Sequence, residues 1–127
     1  TLFRSTIRLT LTTGYYMPII RHYKTDDGRN PFDEYLRSIK DPIAKAMIAT
    51  RVARMATGNY GDCKVCRDGV SELRIDQGPG YRVYFGYVTD PADGAVNLVL
   101  LGGTKKKQDA DIDTAVGYLN DYKDFKR

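Results

Sequence analysis

The stretch Gly69–Tyr87 reads GVSELRIDQGPGYRVYFGY. Two strand-like segments, Val70–Asp76 and Tyr81–Val88, flank Gly78-Pro79-Gly80, which is turn chemistry. The stretch therefore predicts a β-hairpin. Side chains alternate across a strand, so Glu72 and Arg74 share one face while Leu73 and Ile75 share the other. In the second strand Arg82 and Tyr84 share a face, and Tyr81, Val83 and Phe85 take the opposite one. A loop of Gln77, Gly78 and Pro79 sets Arg74 opposite Arg82 and Glu72 opposite Tyr84. A four-residue loop would drive the arginines into apolar surroundings, and the cost of burying charge favours the first register. One open face then carries Glu72, Arg74, Arg82 and Tyr84.

Working outward from the hairpin, segments near 64–66 and 95–101 read as further strands, set off by Asp68-Gly69 and by Asp90-Pro91 with Gly94. The last of them, AVNLVLL, is almost continuously apolar, which predicts a central strand covered on both faces. Upstream, Ile19–Tyr23 reads as a first strand. Asn30-Pro31 supplies a helix start, and Phe32, Tyr35, Leu36 and Ile39 follow as one apolar stripe. Asp41-Pro42 starts a second helix through Ile48, Val52 and Met55, with Gly58 as its stop. A final helix over about 109–122 has Asp109, Asp111 and Asp113 near its start and buries Ile112, Ala115, Val116 and Leu119. The order β-α-α-β-β-β-β-α is an α+β fold, expected as an antiparallel sheet with a two-helix hairpin on one face and a C-terminal helix.

A chain of 127 residues holds one domain. Its 42% hydrophobic and 28% charged content fit an ordinary soluble globular protein, and its two cysteines are those expected of a cytoplasmic one. No apolar run approaches the roughly 18 residues of a membrane span. Residues 1–16 contain no acid and lack the apolar core of a secretory signal; Met17-Pro18 reads as a natural start. That leader is expected to lie outside a domain at 17–127, as upstream or added sequence, with an added edge strand as the alternative. Cys63 and Cys66 cannot complete a four-ligand metal site alone, and strand positions three apart point to opposite faces, so two reduced cysteines are expected.

The net charge is +4, of which Arg4 and Arg8 carry two units, so its distribution says more than its size. Cations gather on the hairpin and at Lys105, Lys106 and Lys107, the footprint of a phosphate-binding surface. Two facing arginines repel unless an anion lies between them. Glu72 fits either as their salt-bridge partner or as a general base taking a proton from a ribose 2′-hydroxyl. In the second reading Arg74 and Arg82 stabilise the charge that builds on the phosphate. The RNA carries its own nucleophile, so neither a metal nor a cofactor is expected. Tyr84, the three lysines and Gln108 are the expected substrate-binding residues; solvated surface is the plain alternative for the lysines.

The segments GVSELRI, GPGYRVYF and LLGGTKKKQ, with the DI that follows, closely resemble the addiction-module killer proteins, HigB-like toxins of the RelE/ParE superfamily of bacterial toxin–antitoxin systems. So do PFDEYL and RMATGNYGD upstream, and the match covers about 17–122. The resemblance implies a RelE-like fold and a ribosome-dependent endoribonuclease (an mRNA interferase) that blocks translation. It also implies a cognate antitoxin, commonly a helix-turn-helix protein, held with the toxin in a hetero-oligomer. By position, Glu72 resembles the carboxylate base of one branch, Arg82 the arginine of the YR motif, and Lys106 the cation after the last strand. Ile112 stands where some relatives carry a tyrosine or histidine, which leaves Tyr84, Tyr118 or a lysine as general acid. Other branches inhibit DNA gyrase without chemistry, and an inactive antitoxin-binding relic is the third reading.

Overall fold

Strand β5 (Gly94–Thr104) organises the molecule, because its two edges and both its faces are covered. The computed structural model describes residues 18–125, so the expectations for the leader lie outside the described residues. In chain order the other elements are β1 (Ile19–His22), α1 (Pro31–Ser38), α2 (Pro42–Arg54), β2 (Cys63–Arg67), β3 (Val70–Ile75), β4 (Tyr81–Asp90) and α3 (Gln108–Phe125). Single 3-10 turns at Met55–Thr57 and Lys105–Lys107 follow α2 and β5. The fold is α+β.

The five strands form one sheet in the order β1-β5-β4-β3-β2. Strands β2 to β5 are an antiparallel meander, but β1 runs parallel to β5, pairing Ile19 with Val96 and His22 with Val99. The expectation of an antiparallel sheet is therefore corrected: the sheet is mixed. The α1–α2 excursion carries the chain from β1 to β2 at the opposite edge of the sheet, and the three antiparallel steps of the meander bring β5 back beside β1 running in the same direction.

Local chemistry starts and stops the helices as read. The Asn30 side chain accepts from the Asp33 amide at 3.0 Å, and Asp41 accepts from the Ile43 amide at 2.9 Å. Each cap contributes about 1 kcal/mol. Gly58 closes the α2 end at φ 79°, and Asp68-Gly69, both with positive φ, form the two-residue β2–β3 hairpin turn.

Helices α1 and α2 and the 3-10 turn after α2 cover one face, burying Phe32, Ile48, Val52 and Met55 against Leu73, Ile75, Val83, Phe85 and Val99. Helix α3 covers the other, laying Ala115, Leu119 and Tyr122 over Val70, Tyr84, Val96, Leu98 and Leu100. Asn97 interrupts the apolar run of β5, yet it is satisfied. It accepts from the Tyr60 hydroxyl at 2.7 Å and donates to the Met55 carbonyl at 3.3 Å. At the β1 edge Arg21 donates to Asp90 at 2.9 Å, to Asp93 at 2.5 Å and to the Tyr122 hydroxyl at 2.6 Å, joining β1, the β4–β5 turn and the end of α3.

Cys63 and Cys66 are both free thiols and lie on opposite faces, Cys63 in the α1–α2 core and Cys66 toward Glu72. Among the described residues no helix is long and apolar enough to cross a membrane.

Candidate active site

The β3–β4 register is the one the three-residue loop requires: Glu72 pairs with Tyr84 and Arg74 with Arg82. Leu73, Ile75, Val83 and Phe85 turn toward α1 and α2, which leaves the polar set on the α3 side. The face is not open, however, and that expectation is corrected. Glu72 is 0% exposed and Arg82 8% exposed, because the first turn of α3 lies over them.

Glu72 receives three approaches there. Gln108 Nε2 donates to Glu72 Oε1 at 3.0 Å and reaches Oε2 at 3.4 Å. The Cys66 thiol donates to Oε1 at 3.7 Å. Arg82 Nε stands 3.8 Å from Oε2, close enough for an ion pair and too long for a hydrogen bond. Arg82 Nε accordingly has no hydrogen-bond partner, while Arg82 Nη1 donates to the Tyr81 carbonyl at 3.1 Å. Burying a carboxylate costs several kcal/mol unless neighbours satisfy it, and here they do so only in part.

Tyr84 is also 0% exposed, and its hydroxyl has no partner. As it stands the ring is part of the α3-side core and cannot stack on a base, so the surface role expected of it is corrected. Burial, with Glu72 adding to it, pushes its phenol well above the ordinary range. Burial and the same carboxylate push the Cys66 thiol up to about 11.

Arg74 is answered from elsewhere. Its Nε and Nη2 donate to Asp62 Oδ1 at 3.1 and 2.8 Å, so Arg74 and Arg82 each face a carboxylate of the protein itself. Arg51 braces this corner by donating to the carbonyls of Arg74, Tyr60 and Asp62. Lys105, Lys106 and Lys107 are exposed in a single 3-10 turn. The Lys105 amide donates to the Gly80 carbonyl at 2.8 Å, which fixes the lysine turn beside the β3–β4 loop. Gln108 is spent on Glu72 rather than turned to solvent. Tyr118 lies two turns beyond Asp111 on α3 and stacks on Tyr23 with ring centroids 4.7 Å apart.

Three contributors escape a reading by strand alternation alone: Asp62, Cys66 and Asp111. Asp111 lies over β5, where a Cβ on Gly103 would overlap its carboxylate, and Gly103 pairs with Arg82. The signal for Asp111 is helical spacing. Gln108, Asp111, Ile112 and Ala115 fall at i, i+3, i+4 and i+7, so the buried stripe of α3 extends back to its first residue. A groove of about 360 Å³, bordered by Lys64, Cys66, Arg67, Gln108 and Ile112, runs between β2 and α3 and reaches the two residues bonded to Glu72. Among the described residues no three His, Cys, Asp or Glu side chains gather as a metal would need.

An uncharacterized protein of Haemophilus influenzae is 45% identical to this chain over 84 residues, which is 66% of this chain and 81% of the relative. The chain belongs to that protein's family. No family model matches the chain, and no solved structure matches it. The Haemophilus relative carries no assigned activity.

Proposed function

We propose that this protein is the toxin of a type II toxin–antitoxin module, a HigB-like member of the RelE/ParE superfamily that cleaves mRNA on the ribosome. What carries the reading is the Glu72–Arg82 pair. Its Nε–Oε2 separation is 3.8 Å on one sheet face, with Arg82 Nε and the Tyr84 hydroxyl both buried and unbonded. Buried polar atoms without partners are rare in folded proteins, and here they cluster around a carboxylate and a guanidinium.

In this reading Glu72 takes the proton of a ribose 2′-hydroxyl, whose oxygen attacks the adjacent phosphate. Arg82 stabilises the added negative charge with its planar fork of donors. Lys105, Lys106 and Lys107 hold the flanking phosphates. Because Gln108 covers Glu72, the substrate has to displace the Gln108 amide before the base can act. No cofactor enters the scheme. The antitoxin, a helix-turn-helix protein, covers the exposed side of α2, where Ile43 (65% exposed) and Met47 border an apolar groove of about 520 Å³.

A second reading draws on the burial of Glu72. A carboxylate fully enclosed and bonded to Gln108 also suits a purely structural role, and the toxin would then act by binding a protein such as DNA gyrase. Brief induction followed by transcript-end mapping, beside a plasmid supercoiling assay, separates the two. Cut transcripts with normal supercoiling support the nuclease. Intact transcripts with lost supercoiling support the gyrase reading, and neither effect leaves an antitoxin-binding relic.

A further inference from the structure

We propose that Asp111 is the general acid that protonates the leaving 5′-oxygen, an inference that rests on the nuclease reading above. Three acids stand near the start of α3, and they are not equivalent. Asp109 and Asp113 are exposed, Asp113 paired with Arg67, whereas Asp111 is half-buried against the sheet. It lies over Gly103, the β5 residue paired with Arg82. Any larger residue at Gly103 would occupy the volume of the Asp111 carboxylate, so the glycine keeps that space free.

Glu72 on β3 stands 3.8 Å from Arg82, and Asp111 lies over Gly103, the β5 residue paired with Arg82. Those strands lie about 10 Å apart, two strand spacings, with β4 between them. A phosphate held on Arg82 would have one carboxylate toward its attacking oxygen and the other toward its leaving oxygen, as an in-line displacement requires. Burial raises the carboxyl of Asp111 above its ordinary range, opposed by Lys107, which suits a group that must carry a proton.

The step balances. The 2′-oxygen forms a bond to phosphorus as its proton passes to Glu72. The bond from phosphorus to the 5′-oxygen breaks, and that oxygen takes the proton of Asp111. The products are a 2′,3′-cyclic phosphate and a 5′-hydroxyl, and solvent restores the two carboxyl groups.

A change of leaving group tests the assignment. Ribosomes are programmed with an mRNA whose scissile linkage carries either the natural 5′-oxygen or a bridging 5′-sulfur, which departs without protonation. Purified wild-type protein is compared with Asp111→Asn, and with Asp113→Asn and Glu72→Gln as references. Asp111→Asn should lose about 100-fold or more on the oxygen linkage and recover to near the wild-type rate on the sulfur linkage. Glu72→Gln should stay slow on both, and Asp113→Asn should match wild type. Equal wild-type and Asp111→Asn rates on oxygen overturn the assignment, as does an Asp111→Asn variant equally slow on both linkages. If wild-type protein cuts neither RNA, the nuclease reading itself fails and takes this assignment with it.

Discussion

The side-chain amide of Gln108, the first residue of α3, donates to the buried carboxylate of Glu72 on β3 at 3.0 Å. This one bond ties the C-terminal helix to the polar face of the sheet. It also covers the group to which the proposed chemistry assigns the first proton transfer. The lysine turn that precedes Gln108 is fixed in turn by the Lys105–Gly80 main-chain bond, so both ends of the short connector are anchored.

Removing the amide leaves a buried carboxylate with one donor fewer. Gln108→Ala should cost about 1.5–3 kcal/mol, the worth of a hydrogen bond to a charged group. Urea unfolding at neutral pH measures it. An unchanged midpoint would mean that Glu72 does not depend on Gln108.

Cys66 should be an unreactive thiol. Its folded value of about 11, against an ordinary 9.0, leaves about 100-fold less thiolate near pH 8. Alkylation rates in a Cys63→Ser background check this against a small-molecule thiol. The sign for stability follows from the same shift. The folded state holds the proton more tightly, so this contribution is present below pH 9 and is lost as pH rises toward about 11.

Gly102 has no room for a side chain, because a Cβ there would overlap the Tyr35 ring, whose hydroxyl donates to the Gly103 carbonyl at 2.9 Å. Gly102→Ala should destabilise by about 1–3 kcal/mol, the usual cost of overpacking. The double variant with Tyr35→Ala should lose less than the sum of the two single changes. Strict additivity in that cycle would place the strain elsewhere.

Much of this fold was legible because strong local signals agree with one another. Asn30-Pro31 and Asp41-Pro42 started two helices, and the loop between Ile75 and Tyr81 set the register of the central hairpin. The parallel pairing of β1 was not legible, since nothing within Ile19–His22 specifies a partner; the uncovered edge of β5 does. The burial of Glu72 escaped for a related reason. Alternation assigns a face to a side chain but not the helix that roofs it, and the roof depends on where Gln108 and Asp111 fall on α3. Alternation sets Arg74 beside Arg82, and only the chain path through Asp62 shows that it has a partner of its own.

The most direct test is the chemistry of the RNA ends left after brief induction of the protein in cells. Wild-type protein should leave coding-region fragments ending in 2′,3′-cyclic phosphate, and both Glu72→Gln and Arg82→Ala, folded by circular dichroism, should leave transcripts whole and growth unarrested. Growth arrest by both variants at the wild-type level, with transcripts intact throughout, would contradict the nuclease reading.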